Sequence, residues 1–421
     1  MQMNEPKFFI EYEWTTLDTP VPKKFYELGL CEKLKDQIRF KFVGFSTYKE
    51  NLFIVFPKGF QLSKDINVNK EKAKLLLQTL IKYEKSTLEN HFLGDGNDVI
   101  AESFSSIARL VEDYQNFGLI KFQKRKQEIN GKGRINWGKT IKQTQPYIQG
   151  NVPLYLDLIT SRTQFFSEHE ISYIHEYVLH HISLQFGWLF DFKFYPNNTE
   201  ELFNTEHMIY ILTNALSQTF VEREIQLFKE LISYLKKISQ EDLSTLSIYA
   251  TQYFHNIWEL MCAQIFEDDE SLHKLVPNPY WIVDNKEYAT KQIPDILFKK
   301  NHELYVLDAK YYRIKEGLDK LPGWKDIVKQ LFYAQSFKNN GFAENNNTFQ
   351  DIHNIFLFPS TYAETIKHFG FAAVKGLEDK HTGFGKIFAF EIDVEFALSA
   401  YVYENKTSLQ DKLVSKVSGL S

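Results

Sequence analysis

The chain has 421 residues, of which 43% are hydrophobic and 24% charged, and its formal net charge is -5. This composition is typical of a folded protein of two or three domains, and it excludes intrinsic disorder and collagen. The chain has 2 cysteines, too few for a disulfide-stabilised scaffold of this size. No apolar run approaches the roughly 20 residues needed to cross a bilayer, so we expect no membrane span. The first residues lack the features of a signal peptide, and we therefore expect a reduced, cytoplasmic setting.

Residues 1–150 are expected to form a β-rich N-terminal domain that also contains helices. Two aromatic and β-branched runs, FFIEYEW and FKFVGFSTYKENLFIVF, predict strands within residues 7–62, with a hairpin turn at YKEN in the second run. Apolar residues at three- and four-residue intervals then predict amphipathic helices at about 68–91 and 100–119.

An exposed basic β-hairpin is predicted at residues 120–142, because Asn130-Gly131 lies between two polar arms with alternating residues. Asn-Gly is the strongest short-range signal for a two-residue hairpin turn. Its cations could contact phosphates or an acidic partner, and a merely solvated hairpin explains them equally well. These cations are Lys121, Lys124, Arg125, Lys126, Lys132 and Arg134.

Residues 151–240 are expected to form a mainly helical middle region. After a short strand in PLYLDLIT, apolar residues recur with helical spacing from His169 onward and again over 208–238. The polar cluster at 239–242 is typical of a helix N-cap and of a domain boundary, and a helix is predicted from there to about Phe266.

Residues 241–421 are expected to form an α/β domain built on a mixed sheet. Solid apolar runs or two-residue alternation predict strands in YWIVDN, IPDILF, ELYVLDAKYY, NIFLF and KIFAFEIDVEF. A helix is predicted in DIVKQLFYAQSF, between the third and fourth of these strands. Short strands with few helices do not suit a barrel, so the chain is assigned to the mixed α/β (α+β) class.

Two aspartates in this C-terminal segment carry the strongest chemical signal. Asp295 lies near the start of the strand in IPDILF, and Asp308 ends an apolar strand, where a carboxylate is costly to bury without a positive partner. If the two strands pair as an antiparallel hairpin, the two carboxylates lie side by side. Hard oxygen ligands with room for waters suit Mg²⁺ better than zinc. Lys310 leaves its strand on the same face as Asp308, where an ammonium can orient a water.

The Pro294-Asp295 and Asp308-Ala309-Lys310 pattern resembles the signature of the PD-(D/E)xK nuclease superfamily, the fold of many restriction endonucleases. The resemblance implies that Asp295, Asp308 and the Ala309 carbonyl hold the metal ion. It also implies that Lys310 positions the water that attacks the DNA phosphodiester.

The same resemblance extends to the two neighbouring helices. An acidic residue of the superfamily often comes from the helix before the sheet, and Glu259 occupies the matching place. Several branches carry a Gln followed by a Tyr in the helix after the Asp-x-Lys strand. Gln330 and Tyr333 match these two, but they stand three residues apart, whereas one well-known branch has them four apart. Gln330 is therefore a candidate site residue, and the assignment of Tyr333 is open.

A second resemblance concerns the layout of the chain. The segment GRINWGKTI at 133–141, followed by a helical middle and the nuclease signature, resembles the McrC-type subunits of modification-dependent and LlaJI-like restriction systems. It covers most of the chain in layout but only two short segments in residue identity. It implies a Mg²⁺-dependent endonuclease subunit that cleaves double-stranded DNA in phage defence, in a hetero-oligomer with a separate AAA+ GTPase motor. Residues 1–150 would then be the adaptor that docks on the motor.

Four cations close to the signature could serve the DNA. Lys299, Lys300, Arg313 and Lys315 would give the DNA-facing edge positive charge despite the acidic total.

Two other functions compete with the nuclease. The chain could be a non-catalytic adaptor that activates a motor NTPase, although complete retention of Asp295, Asp308 and Lys310 argues against this. The segment GRINWGKT at 133–140 also satisfies the phosphate-loop pattern G-x-x-x-x-G-K-[ST]. A phosphate loop needs an apolar strand before it, and KFQKRKQEIN is too polar to be one.

The histidines and cysteines point to no site of their own. His169, His175, His180 and His181 include a pair five residues apart, whereas zinc ligands on one helix face need a spacing of four. Cys31 and Cys262 have no CxxC partner, and we expect both to pack as small hydrophobic residues.

Overall fold

The structure is a computed structural model that describes the chain except residues 1–3, 17–20, 49–50, 90–98, 102–103, 167–169, 197–202, 240–245, 291–292, 313–320, 340–348, 362–363, 405–406 and 421. Within its helices and strands, the side chains of 87–89, 99–101, 104–105, 122–126, 163–166, 237, 239, 246–247, 339 and 407–408 are also outside the description. The chain divides into two compact units. Unit 1 comprises residues 3–102 and 246–421, and unit 2 comprises the intervening residues 103–245.

The helices and strands fall into three successive stretches of the chain. The first part of unit 1 contains β1 (Lys7–Ile10), β2 (Thr15–Thr16), α1 (Lys23–Glu27), β3 (Cys31–Leu34), β4 (Gln37–Phe40), β5 (Val43–Tyr48), β6 (Asn51–Phe56), α2 (Ile66–Glu89) and β7 (Val99–Ala101). Unit 2 contains α3 (Phe104–Phe117), β8 (Phe122–Ile129), β9 (Arg134–Ile135), α4 (Trp137–Gln143), β10 (Tyr147–Gln149), β11 (Val152–Leu154), β12 (Ile159–Phe166), α5 (Glu170–Phe190), α6 (Thr205–Gln218) and α7 (Glu222–Ser239). The second part of unit 1 contains β13 (Leu246–Thr251), α8 (Phe254–Ile265), α9 (Glu270–His273), β14 (Tyr280–Val283), β15 (Lys286–Ala289), β16 (Ile296–Lys300), β17 (Glu303–Ala309), α10 (Trp324–Asn339), β18 (Asp351–Ser360), β19 (Ile366–Ala373), β20 (Lys386–Asp393), α11 (Val394–Tyr403) and α12 (Thr407–Ser418).

The mixed α/β class expected from the sequence is confirmed by this order of elements. Of the helices that the structure describes, none combines the length and apolar composition that a bilayer crossing requires. The second boundary between the units, at residue 246, lies close to the boundary expected at 239–242. The division into a docking domain at 1–150, a helical middle at 151–240 and a nuclease at 241–421 is a division by role, and it stays a prediction.

The first sheet of unit 1 has the order β1-β6-β5-β13-β7. β5 and β6 pair antiparallel, with Tyr48 opposite Asn51, so the hairpin predicted at YKEN is confirmed. Phe9 of β1 and Phe53 of β6 leave this sheet on one face, and they join a buried cluster with Phe40 of β4, which belongs to the separate sheet β2-β4-β3.

The helix predicted from the cluster at 239–242 to Phe266 is wrong in its first part. Residues 246–251 form β13, which lies antiparallel between β5 and β7, and the helix α8 begins only at Phe254. Gly44 makes this approach possible, because a Cβ at that position would lie 2.3 Å from the carbonyl oxygen of Tyr249. These residues form a strand because they pair with β5 along its whole length, and this tertiary pairing overrides the local preference for a helix.

The second sheet of unit 1 has the order β16-β17-β18-β20-β19. β17, β18 and β20 run parallel, while the outer strands β16 and β19 are antiparallel to their neighbours. The mixed sheet predicted for this segment is therefore confirmed. Strand β17 is buried along nearly its whole length, which explains its unbroken apolar sequence. The strand β19 and the helices α11 and α12 were not predicted from the sequence.

Unit 2 corrects the hairpin predicted at 120–142. β8 and β9 do not pair with each other, because both pair antiparallel with β12, which lies between them. Asn130 takes the left-handed conformation expected of an Asn-Gly turn, with φ 54. Its side chain, however, accepts a hydrogen bond from the Leu158 amide at 2.8 Å and donates to Asp157 at 3.1 Å. These bonds fix the turn to the start of β12, so β12 and not the opposite arm becomes the neighbour.

Candidate active site

The candidate site is placed by the hairpin of β16 and β17. Asn301 and His302 form its turn with φ 51 and φ 62, and positive φ at both positions matches the twist of paired strands. The register pairs Ile296 with Leu307. One step further along the same register, Asp295 stands opposite Asp308. The hairpin pairing on which the prediction of adjacent carboxylates depended is therefore confirmed.

The two carboxyl groups touch in a largely buried position. Asp308 is 2% exposed, and one oxygen of Asp295 accepts a hydrogen bond from the Ala309 amide at 2.9 Å. Burial raises the pKa of Asp295 to about 8, and the charges of Asp308 and Glu259 and a hydrogen bond to the Asp308 carboxyl add to the rise. Two carboxylates this close cannot both carry full charge unless a cation joins them, so the pair holds a proton at neutral pH.

Lys310 supplies the nearest positive charge. Its ammonium lies 2.8 Å from Oδ2 of Asp308 and 3.0 Å from Oδ1 of Asp326, and its side chain is largely buried. Burial lowers the pKa of Lys310, but the two carboxylates outweigh it and raise the pKa above its ordinary value. Lys310 and Asp308 are two residues apart on a strand, so both side chains leave on one face, as predicted.

Glu259 reaches the same group of charges from α8. The helix buries the apolar stripe that includes Ile257, Trp258 and Met261, and Glu259 is left half-buried beside it. Burial raises the pKa of Glu259 and the charge of Asp308 raises it further, while Lys310 lowers it. The structure thus brings Glu259 within electrostatic reach of the aspartate pair, in the helix that the sequence indicated.

Gln330 and Tyr333 join α10 to the backbone around the aspartates. Gln330 donates from Nε2 to the Val306 carbonyl at 2.9 Å, and the Tyr333 hydroxyl donates to the Ile293 carbonyl at 3.0 Å. Val306 belongs to β17 and Ile293 precedes Asp295 by two residues, so α10 holds both strands that carry the carboxylates. The three-residue spacing that left the assignment of Tyr333 open is compatible with these contacts, which attach both side chains to the backbone.

Sequence reasoning missed two charged residues of α10 that belong to the site. Asp326 forms the ion pair with Lys310, and the Lys329 ammonium lies 4.0 Å from Oδ1 of Asp308. With Gln330 and Tyr333 they occupy positions i, i+3, i+4 and i+7, which is one face of a helix. Once Gln330 had been selected, this spacing would have identified the other two.

The oxygen atoms of the aspartate pair fit a hard cation. Oδ1 of Asp308 is buried and makes no hydrogen bond to any residue that the structure describes. Among those same residues no group of three or more His, Cys, Asp or Glu side chains is placed to hold a metal ion. Such a set, two carboxyl groups in contact with one oxygen unpaired, suits Mg²⁺, because Mg²⁺ usually keeps several of its waters. It does not suit a zinc site in which the protein supplies all four ligands.

The cations predicted to face the DNA are only partly described by the structure. Lys299 is exposed, and Lys300 forms an ion pair with Asp411 on α12. Arg313 and Lys315 lie outside the described residues. In the basic segment 120–142, the side chains of residues 124–126 lie outside the description, so the predicted phosphate or partner contact of this segment stays a prediction.

The phosphate-loop alternative has no support from the geometry of residues 133–140. Within the motif, 134–135 form strand β9, and α4 has only seven residues. The Lys139 ammonium donates to Gln127 at 2.8 Å, and the Thr140 hydroxyl accepts from the Ile159 amide at 3.0 Å. Both groups that would hold a phosphate are therefore used to attach α4 to the neighbouring strands.

The structure describes three of the four histidines and both cysteines. His175 is buried, and its Nδ1 accepts from the Ile120 amide at 3.3 Å, while His181 bonds the Tyr234 hydroxyl at 2.7 Å. His169 lies outside the described residues. Cys31 and Cys262 are free and buried, which confirms that both pack in the core.

Comparison with known proteins gives a family and a sequence relative. Residues 42–399 match the family model of the LlaJI restriction endonuclease. The chain is 27% identical over 415 residues to the type II restriction enzyme BsuMI component YdjA of Bacillus subtilis (strain 168), covering 93% of this chain and 86% of that protein.

Two solved structures show a distant likeness. One is a half-complex from a tetradecameric assembly of Thermococcus gammatolerans McrB AAA+ hexamers with bound McrC, with 12% identity, a TM-score of 0.42 and coverage of 95% of this chain and 99% of that chain. The other is the McrBC complex of the same organism, with 10% identity, a TM-score of 0.24 and coverage of 55% and 79%. Likeness at these TM-scores does not define a shared fold.

Proposed function

Because the chain belongs to the LlaJI restriction endonuclease family, we propose that it is the DNA-cleaving subunit of a restriction system and hydrolyses phosphodiester bonds with Mg²⁺. The observation that carries the proposal is the contact between the Asp295 and Asp308 carboxyl groups, with the Lys310 ammonium 2.8 Å from Asp308. This arrangement of two carboxylates and one ammonium on adjacent strands is the one that the PD-(D/E)xK resemblance implies.

Asp295 and Asp308 would hold the cation, and the Ala309 carbonyl is the third predicted ligand. When bound, a divalent cation supplies the charge that stabilises the developing negative charge on the phosphate and favours ionisation of the attacking water. The half-buried setting strengthens every electrostatic contact in the site, because water screens it less.

The protein's own groups have separable tasks in this proposal. Lys310 is held by Asp308 and Asp326, so its remaining N–H donor has a fixed direction in which to orient the attacking water. Glu259, whose pKa is raised by burial and by the charge of Asp308, holds a proton more readily than an exposed glutamate and would support the site from α8. Gln330 and Tyr333 touch backbone carbonyls, and in this proposal they position the strands rather than take part in the reaction.

The substrate and partners follow from the same resemblance. We propose double-stranded DNA as the substrate and an AAA+ GTPase motor as the partner in a hetero-oligomer, with residues 1–150 as its docking region. The support for the motor is the resemblance of 133–141 to McrC-type subunits. Co-purification of the full chain with the AAA+ protein of the same operon tests it, and the absence of any such neighbour or complex would contradict it.

The nuclease proposal is tested with purified full chain, with and without its motor, on plasmid DNA. We expect cleavage with Mg²⁺, none with EDTA, and none for Asp308→Ala or Lys310→Ala with an unchanged circular dichroism spectrum. Asp284→Asn is the matched control for Asp308→Ala, because Asp284 is exposed in the turn between β14 and β15 and the substitution removes the same charge. Cleavage that persists in Asp308→Ala rejects the assignment, and stimulation of the motor by an uncleaving wild-type chain favours a non-catalytic adaptor.

A further inference from the structure

Lys329 is a second lysine beside the aspartate pair, and no role follows for it from the sequence signature. It lies on α10, the helix after the catalytic strand of the proposal, and its ammonium is 4.0 Å from Oδ1 of Asp308. That distance is longer than a hydrogen bond, so Lys329 faces the carboxyl group without being bound to it.

The two lysines differ in what they can reach. The Lys310 side chain is 15% exposed and already contacts two carboxylates, at 2.8 Å and 3.0 Å. The Lys329 side chain is 44% exposed, whereas the Asp308 side chain beside it is 2% exposed. Lys329 therefore extends from the solvent to the buried carboxyl group, and an incoming anion meets it before it meets Lys310.

Tyr333 restrains Lys329 in this position. The ammonium lies 5.5 Å from the centre of the Tyr333 ring, within range of a cation–π contact. The ring itself is fixed, because its hydroxyl donates to the Ile293 carbonyl at 3.0 Å. The residue that binds the backbone before Asp295 thus also supports the second lysine of the site.

We propose that Lys329 binds the scissile phosphate of the DNA strand in the active site. This inference rests on the proposed nuclease function. A phosphate brings negative charge to a place where Asp295 and Asp308 already concentrate it, so the Lys329 ammonium beside them compensates that repulsion. Lysine suits this task because its ammonium acts as a point charge on a flexible stem.

The test compares Lys329→Met, which keeps most of the stem and removes the charge, with Lys329→Arg, which keeps the charge. Lys325→Met is the control, because Lys325 is exposed on the same helix and loses the same charge. The first measurement is the cleavage rate of the full chain under single-turnover conditions at saturating duplex with Mg²⁺. The second is the salt dependence of duplex binding with Ca²⁺ in place of Mg²⁺.

We expect Lys329→Met to cleave at least about tenfold more slowly at saturating DNA, as when one preorganised donor to the transition state is removed. The slope of its log affinity against log salt concentration should be shallower by about one, which corresponds to the loss of one phosphate contact. Lys329→Arg should recover the slope and most of the rate, and Lys325→Met should keep the wild-type rate.

Three outcomes overturn the inference. An unchanged rate and slope in Lys329→Met mean that Lys329 binds no phosphate. A reduced slope with an unchanged rate means that it binds a phosphate other than the scissile one. An equal loss of rate in Lys325→Met means that the total positive charge of α10 determines the rate, and not a contact made by Lys329. Failure of the proposed function is recognised separately, because wild type then cleaves no DNA and matches Asp308→Ala. In that case the salt dependence of duplex binding still shows whether Lys329 contacts a phosphate.

Discussion

Replacing Asp295 by Asn is expected to stabilise unit 1 at neutral pH, although it removes a predicted metal ligand. Burial and the neighbouring carboxylates raise the pKa of Asp295 to about 8, from a usual 3.8. At pH 7 the folded side chain is mainly protonated and the unfolded one is ionised, so folding must take up a proton. Each pH unit above 3.8 costs about 1.4 kcal/mol, which makes the cost at pH 7 about 4 kcal/mol.

Asparagine avoids this cost without changing the shape of the side chain. Its oxygen can accept from the Ala309 amide as Asp295 does at 2.9 Å, and its amide can donate to Asp308. The free energy of unfolding should therefore rise by about 4 kcal/mol at pH 7, by roughly 2 kcal/mol at pH 5 and by less than about 1 kcal/mol near pH 4. The sign follows because a raised carboxyl pKa lowers stability as pH increases from about 4 to about 8.

Urea unfolding between pH 4 and pH 8 in EDTA measures this difference, with EDTA excluding divalent cations from the site. Tryptophan fluorescence includes a signal from unit 1, because Trp258 in α8 is fully buried, and Trp137→Phe with Trp188→Phe in all variants removes the signal of unit 2. Asp36→Asn removes an exposed carboxylate from the same unit and should follow the wild-type curve at every pH. Parallel wild-type and Asp295→Asn curves across this range would show that the aspartate pair does not share a proton.

Other groups give further expectations. Asp326→Asn removes one of the two carboxylates that hold the Lys310 ammonium at 2.8 Å and 3.0 Å, so the rate of DNA cleavage with saturating Mg²⁺ should fall several-fold; an unchanged rate contradicts this. Tyr311→Phe removes the donor 2.7 Å from the buried Glu11 carboxyl and should lower the free energy of urea unfolding by about 2 kcal/mol. Burial lowers the pKa of His175 to about 4, so the ionisation of this side chain should cost unit 2 up to about 3 kcal/mol as pH falls from 6.5 to 4, and urea unfolding of unit 2 in His175→Gln should lack that cost.

The parts of the site that could be predicted are those fixed by local pattern. The apolar run before Asp308 and the Asn301-His302 turn define a hairpin, and the hairpin register alone sets Asp295 opposite Asp308. Lys310 follows from the two-residue period of a strand. Asp326 and Lys329 depend on how α10 rotates over the sheet, and the packing of Leu331 and Tyr333 determines that rotation.

The parts of the fold that could not be predicted depend on contacts between distant segments. Residues 246–251 have apolar residues at helical spacing, and they become a strand because β5 and β7 lie on either side of them. Asn130-Gly131 forms the expected turn, but β12 supplies a longer partner for β8 than the opposite arm does. A one-dimensional pattern contains no information about which of two possible neighbours is nearer.

The pairing of β5 with β13 has a consequence for the order in which the protein can form during synthesis. When β5 leaves the ribosome, its neighbour on one side is still about 200 residues from being translated. Until then its backbone amides and carbonyls on that side are a template for any other extended chain. Premature termination anywhere within unit 2 would therefore release a fragment prone to self-association, and a chaperone that covers extended segments would be needed longest at Val43–Tyr48.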